Sequence, residues 1–516
     1  MTTGQVQCVN SQLTHPNVRL SRVRRRNTRT PFIGVVNGLV GIARYCCFDF
    51  SIDNAYTALL ERVFYHATPE GFAPPRVPDM EQVTQSLSVF TEYFLRFVTT
   101  TVPVDLRVYP ERNYRGRKLR IYQRARDNVL GRTYGRDFGR LQSFVKHEKC
   151  LIKPKRIVPR LIQPRSPEYN VCVGRYIRHL EHRIYQLIDR IWQGPTVMKG
   201  LNCAQQGRAI HDAWSTFANP VAVMLDAVRF DQHVSVPILA WEHSIYLAFF
   251  PPTYRAELEW LLSMQLFNRG TIKCDDGTIK YTVNGCRASG DMNTAMGNVL
   301  IMCASVYAYV RSLGVRARLI NNGDDCCLIV ERGDLEKVSD GIKTWFDRLG
   351  FIIDVEGVAV HLELISFCQT HPVFDGARWT MVRDPRVAIS KDVTILRRWS
   401  LREYQVYLHE LGLCGLSAYG NMPVWSSFYR CLSRACDGDV SAGLRAHVRG
   451  PIYESGLWRL CEGMSVGDHV TDKARASFWV AFGISPVVQR DLEAYFDQFH
   501  PGTGKLYPGF AESLFF

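Results

Sequence analysis

The feature that most restricts what this 516-residue chain can become is Asn321-Asn322-Gly323-Asp324-Asp325. It lies between two apolar runs, Val315-Arg316-Ala317-Arg318-Leu319-Ile320 and Cys326-Cys327-Leu328-Ile329-Val330. An Asn/Gly/Asp cluster in that setting predicts strand, tight turn, strand. The turn then carries two adjacent carboxylates, which repel each other. Folding alone gives no reason for that placement, whereas a divalent cation does. Hard oxygen ligands on a short turn suit Mg²⁺, which takes one or two carboxylates and leaves the rest of its shell to substrate phosphates. Taken alone, Gly-Asp-Asp is most often a solvated turn, so the rest of the chain decides.

The length allows two to four domains or one multi-lobed enzyme. With 46% hydrophobic and 12% aromatic residues the chain is globular. A net charge of +14 and a pI near 9.1 favour a polyanionic partner, nucleic acid or an anionic membrane surface. The 16 cysteines are scattered, with no Cys-x-x-Cys pair, and read as reduced thiols of a cytosolic protein. The uncharged run Ala295 to Val310 is too short to span a bilayer, and Ile33 to Ala43 is shorter, so no transmembrane helix is predicted.

In chain order, residues 1–30 are basic (Arg19, Arg22, Arg24, Arg25, Arg26, Arg29) and read as a solvated arm, with RNA or membrane contact as the alternative. Asp53-Asn54 is expected to cap a helix through Phe64, and Glu81 to Val98 has helical spacing. Arg107 to Arg140 interleaves cations with Tyr109, Tyr114, Tyr122, Tyr134 and Phe138. A single-stranded nucleic acid needs that mixture, charge for phosphates and rings for bases; a solvated charged surface is the bland alternative. Lys153-Pro154-Lys155-Arg156 through Arg160 to Arg165 reads as an extended ribbon, since its prolines forbid a helix. Its cations could line a triphosphate channel, with Arg160 and Arg165 as bidentate ligands. Tyr169 to Trp192 reads as one helix.

Val221 to Leu225 fits a buried strand ending at Asp226, with Asp231 five residues on. Pro237 starts a helix through Phe250, and Thr271 to Val283 is a hairpin turning at Asp275-Asp276-Gly277. Ser289-Gly290 is a flexible turn, and Asp291 is expected to cap a helix running to Gly314. Ser289, Asn293 and Thr294 then gather at one helix start. Capping leaves Asn293 unexplained. A helix Asp334–Leu349, a strand Phe351–Val355 and a strand Leu364–Thr370 follow, and from about 385 the pattern is helical.

Strand with Asp226, helix, loop-helix with Asn293, hairpin with Asp324-Asp325, helix, strand is the order of a nucleotide polymerase palm. Two metal ions roughly 3.5–4 Å apart clamp the attacking 3′-oxygen and the departing pyrophosphate, and carboxylates from two strands must converge to hold them. Asp226 and Asp324 are the expected bridging ligands, with Asp325 auxiliary. Asp231 and Asn293 can bond a ribose 2′-hydroxyl.

Five stretches together resemble the RNA-dependent RNA polymerases of positive-strand RNA viruses, in particular the plant tombusvirus-like group. They are Lys153-Pro154 through Arg165-Ser166-Pro167 with Tyr169-Asn170-Val171; Leu225-Asp226 through Arg229-Phe230-Asp231-Gln232-His233; Ser289-Gly290-Asp291-Met292-Asn293-Thr294-Ala295-Met296-Gly297-Asn298; Asn321 to Asp325; and Phe367-Cys368-Gln369. They keep the family's order over about 145–370. The resemblance implies an α+β right-hand fold of fingers, palm and thumb with an RRM-like antiparallel-sheet palm. It would divide the chain into a basic arm (1–50), fingers with an N-terminal extension (51–220), palm (221–240), a fingers insertion (241–284), palm (285–384) and thumb (385–516). It implies RNA synthesis from NTPs on a single-stranded RNA template with two Mg²⁺ or Mn²⁺ ions, often without a primer. Asp226, Asp324 and Asp325 correspond to metal ligands. Asp231, Ser289, Thr294 and Asn293 correspond to ribose selection, and Arg160, Arg165 and Lys155 to the NTP channel. Phe367, Cys368 and Gln369, with Gly290, correspond to support of the RNA or its 3′ end. Where such enzymes often carry a Lys that protonates pyrophosphate, this chain has Asp354; Lys343, Arg348 or His361 are possible substitutes. The resemblance also implies a membrane-anchored viral replication protein as partner, a place in membrane-associated replication complexes of the host cytoplasm, and a chain that is the polymerase portion of a longer replicase. Two rivals stand: a reverse transcriptase, against which the polar Asp231 and Asn293 argue, and a non-catalytic RNA-binding scaffold, against which the intact carboxylates argue.

Overall fold

The apolar run Val221–Leu225 forms the centre of a four-stranded antiparallel sheet. Its parts, in chain order, are β1 (Pro220–Ala227), α1 (Thr294–Leu313), β2 (Ala317–Asn322), β3 (Asp325–Glu331), α2 (Leu335–Arg348) and β4 (Ile353–Ala359). The spatial order is β2-β3-β1-β4. The computed structural model describes residues 2–24, 31–35, 43–133, 138–436, 439–454 and 456–501.

Side chains alternate across this sheet, and both sets find an apolar partner. Val221, Val223 and Leu225 join a core with Val299 and Val306 of α1 and Ile342 and Phe346 of α2. Ala222 and Met224 join a second core with Ile320, Cys327, Ile329 and the C-terminal helices. Burial on both faces is why β1 reads as an unbroken apolar run rather than an alternating one. Each fully buried Val or Leu there contributes roughly 1.5–3 kcal/mol. By length and composition α1 could cross a membrane, but it packs inside the first core.

A five-stranded sheet, with strands from before and after β1 in the chain, has the order Leu161–Ile162, Leu141–Val145, Phe267–Cys274, Gly277–Asn284, Val18–Arg22. The hairpin Phe267–Asn284 turns at Asp275-Asp276, as its sequence predicts. Among the described residues, seven helices lie between Pro385 and Gln498, in agreement with the pattern of the C-terminal region.

Several local expectations are corrected. The basic arm is not solvated throughout: Val18–Arg22 pairs with Gly277–Tyr281, and Arg22 bonds Asp53. Arg25, Arg26 and Arg29 lie outside the described residues. The helix at 52 is capped by the Ser51 hydroxyl, which accepts from the Asn54 amide, while buried Asn54 bonds the carbonyl of Gln7. The helix expected over 169–192 is two, Pro167–Ile177 and Leu180–Ile191, broken at Arg178-His179. The strand expected over 364–370 begins at Thr370, after a turn in which Cys368 and Gln369 have φ of 51° and 60°.

The N-terminal region also reaches the C-terminal helices. Gly34 and Ile395 exchange backbone hydrogen bonds of 2.9 Å in both directions. The Tyr45 hydroxyl donates to the Val387 carbonyl at 3.2 Å, and Lys149 Nζ to the Lys391 carbonyl at 2.5 Å.

Candidate active site

The β2–β3 turn is built from within. Buried Asn321 accepts from the Gly323 amide at 3.0 Å and donates to the Gly323 carbonyl at 2.7 Å. Gly323 has φ of 96°, which a side chain would resist. The segment Thr196–Met198 pairs with Asn321 from outside and delivers Lys199, whose ammonium donates to Asn322 Oδ1 at 3.0 Å. Asn322 Nδ2 meets the Cys368 sulfur at 3.1 Å, and that sulfur lies 3.6 Å from Asp325 Oδ2. Thus the Cys368 turn is packed on the Gly-Asp-Asp turn, with Phe367 buried beneath it and Gln369 exposed.

Strand register converges the carboxylates. Leu225 pairs with Cys326, so Asp226 ends its strand beside Asp325, and Asp226 itself pairs with Asp354 of β4. Burial raises the Asp226 pKa, and Glu356, Asp324 and Asp354 raise it further. Burial, then the Asp324 charge, pushes Asp325 up to about 6. Among the described residues, no three His, Cys, Asp or Glu side chains close into a complete metal cage. The donor set nevertheless fits Mg²⁺ or Mn²⁺: carboxylates that repel one another at a strand-end turn suit a hard ion that fills its shell with water and phosphate.

Asp231 follows the left-handed Arg229 (φ 49°) on the short helix Phe230–His233. Its Oδ1 accepts from Asn298 Nδ2 at 2.8 Å. Burial raises Asp231 to about 6 against the Asn298 bond. Asn293 is therefore corrected: it is fully buried, bonds Glu242 at 2.8 Å and Gln265 at 3.0 and 3.1 Å, and does not meet Asp231. Asn298 takes the place expected for it, and its signal was legible as the lone amide in the apolar stretch Ala295–Val310.

Of the ribbon cations, Arg160 is half-exposed and forks onto Glu148, close enough for its charge to act on Asp231 and Asp324. Lys153, not Lys155, is the cation whose charge reaches Asp226. Lys155 is exposed, and Arg156 turns away to Glu61. Arg165 is corrected more strongly. Its side chain is buried and bonds Asp291 Oδ1, Asn268 Oδ1 and the Gly139 carbonyl, each at 2.6 Å, and the Met264 carbonyl at 3.0 Å. It bolts four segments together and faces no channel. The same pair removes Asp291 from the capping role.

Ser289 Oγ donates to the Leu161 carbonyl at 3.1 Å and Thr294 Oγ1 to the Ala288 carbonyl at 2.8 Å. Both hold the loop that carries Gly290. A Cβ on Gly290 would lie 2.7 Å from the Pro164 backbone, so a glycine is required by close approach to the ribbon. The rings of 107–140 are also corrected: Tyr109, Tyr114 and Tyr122 form a small core with Val171, and Phe138 stacks on Trp260. They are not available to bases, and Tyr134 lies outside the described residues. The cations Arg117, Lys118, Arg120 and Arg124 remain exposed on the helix Gly116–Leu130. Of the three substitutes for the missing Lys, His361 lines a cavity of about 510 Å³ at the opposite end of β4 from Asp354. Lys343 and Arg348 are exposed on α2, with no bond to the carboxylates among the described residues.

A sequence model of the family described as viral RNA dependent RNA polymerase matches residues 19–503. The chain is 41% identical over 453 residues to the RNA-directed RNA polymerase of Tobacco necrosis virus (strain A), covering 87% of this chain and 61% of that protein. It is 39% identical to that of Turnip crinkle virus (87% and 57%) and 43% identical to that of Carnation mottle virus (89% and 59%). The chain thus spans about 60% of the length of these curated relatives, and the tombusvirus-like affinity of its motifs is borne out.

Proposed function

The chain belongs to the family of viral RNA-dependent RNA polymerases, and on that premise we propose that it extends an RNA 3′ end by template-directed nucleotidyl transfer from NTPs, replicating a positive-strand RNA genome. The observation that carries this is the meeting of Asp226, at the end of one strand, with Asp324 and Asp325, on the turn of its neighbours. The sheet β2-β3-β1-β4 with α1 and α2 would be the palm, the five-stranded sheet and the N-terminal helices the fingers, and the helices from 385 the thumb.

Asp226 and Asp324 would hold the two divalent ions, with Asp325 beside them. Bound there, the ions would supply positive charge against the phosphates and favour an ionised 3′-hydroxyl. Asp231 and Asn298 would accept and donate to the 2′-hydroxyl of the incoming nucleotide, which favours a ribonucleotide over the deoxynucleotide of a reverse transcriptase. Lys153 and Arg160 would meet the triphosphate, and Lys199 and Cys368 would brace the turn under the nascent 3′ end. Exposed cations on Gly116–Leu130 suit the template backbone. Template, nascent RNA, NTPs and a membrane-anchored viral replication protein at host membranes complete the proposed set of partners.

The test is incorporation of labelled NTPs on a short single-stranded RNA with Mg²⁺ or Mn²⁺, beside Asp324→Ala. Template-dependent product that falls about 10³-fold or more in the variant is expected. RNA binding equal in both proteins, with no product from either even on a primed template with membranes added, would favour the scaffold.

A further inference from the structure

Behind Asp231 lies a charged pair that the chemistry above does not use. Arg287 and Glu242 are both fully buried and paired through two guanidinium nitrogens. The third, Nε, donates to Asn298 Oδ1 at 3.2 Å. Asn298 is the residue whose Nδ2 meets Asp231. The Arg287 backbone amide also donates to the Asp231 carbonyl at 2.8 Å.

The donor inventory turns this chain of bonds into a constraint. A carboxamide has one accepting and one donating end, and rotation by half a turn exchanges them. Arginine has donors only. With Arg287 fixed by Glu242, Asn298 must turn its oxygen to the guanidinium, and its NH₂ is then forced toward the Asp231 carboxylate. That leaves the second Asp231 oxygen as a defined acceptor. A second feature shows room made for this contact. Gly297 precedes Asn298 on α1, and a Cβ there would lie 2.4 Å from Glu242 Oε1 and 2.5 Å from Arg287 Nη2.

We propose that Arg287, locked by Glu242, is a positioning residue for sugar selection: it fixes the amide of Asn298 so that the Asp231–Asn298 pair presents one donor–acceptor pattern to the ribose 2′-hydroxyl. The proposal rests on the polymerase reading above. A residue built to bond a hydroxyl discriminates strongly against the analogue lacking it only while its partners stay aligned. Loss of Arg287 leaves the amide anchored at one end only, by the Asp231 carboxylate, so the pair is free to shift and the deoxynucleotide penalty shrinks.

The experiment compares kcat/KM for an NTP and its 2′-deoxy counterpart in four proteins: wild type, Asn298→Ala, Arg287→Met/Glu242→Gln, and the triple variant. The paired replacement avoids leaving one buried charge alone. Arg287→Lys, which keeps the charge opposite Glu242, is run beside them and guards against a pair variant that does not fold. The expected result is a roughly tenfold fall in the NTP/dNTP ratio for the pair variant, similar to Asn298→Ala, with no further fall in the triple variant. Arg287→Lys should give an intermediate ratio. An equal loss for both sugars, with the ratio unchanged while Asn298→Ala lowers it, would overturn the proposal and leave a structural role. So would an unchanged ratio in Arg287→Lys if the pair variant fails to fold. A wild-type protein that uses no nucleotide would instead overturn the polymerase reading, and the proposal with it.

Discussion

Two charged regions lie within reach of Asp231 and are built on opposite rules. At the strand ends, Asp226, Asp324, Asp325, Asp354 and Glu356 gather like charges, and burial and repulsion together raise the pKa values of Asp226 and Asp325. In the network behind, burial opposes both Arg287 and Glu242, yet their proximity outweighs it: Glu242 is held below its usual range and Arg287 above. A protein that can satisfy one buried charge so fully has the means to satisfy another. On the proposed reading, carboxylates left facing each other are where something from solution is admitted, and the paired charges hold its receptor still.

Substitutions should separate the two regions sharply. Glu242→Ala leaves Arg287 buried without a counter-charge and should cost about 3–5 kcal/mol in denaturant unfolding, whereas Asp324→Ala should cost no stability while abolishing incorporation. Equal destabilisation by both would break the contrast. Gly297→Ala should come next, at about 1–3 kcal/mol, because its methyl group enters the space of the ion pair; a neutral result would mean that the pair relaxes freely. The smallest effect is that of the ion itself. Mn²⁺ at ten times its Kd should stabilise the protein by about 1.4 kcal/mol, read as a rise in Tm. Asp325 and Asp231 have folded pKa values raised to about 6 from 3.8. For such groups the folded state binds the proton more tightly, so stability is greatest below about 4 and is lost as pH rises through 6. The ion binds the ionised form, so its Tm gain should be larger at pH 7 than at pH 5. A gain that grows on acidification would show binding elsewhere.

What the sequence disclosed follows the same division. The turn at 321–325, the strand ending at Asp226 and the hairpin at 275 were legible because each is decided by neighbours in the chain. Arg160 and Arg165 were not distinguishable, since one faces the site and the other is enclosed by groups up to 126 residues away. Asn293 and Asn298 differ by little more than one helical turn, and the partner that tells them apart is Asp231, 67 residues before Asn298. The tyrosines of 107–122 looked like stacking platforms because alternation with cations is common to a binding face and to an amphipathic helix; packing against Val171 decides it.

The bonds that tie the first strands to the C-terminal helices carry a consequence for how the molecule is made. Tyr45 and Val387 are 342 residues apart in the chain. A ribosome adding roughly 5–20 residues per second leaves the N-terminal segment without that partner for tens of seconds. During that interval the backbone of Gly34 lacks its partner Ile395 and is open to another strand. Contacts of such long range form late and slowly, so the carboxylate turn, braced by Lys199 and Cys368, should be complete before the N-terminal segment docks on the C-terminal region.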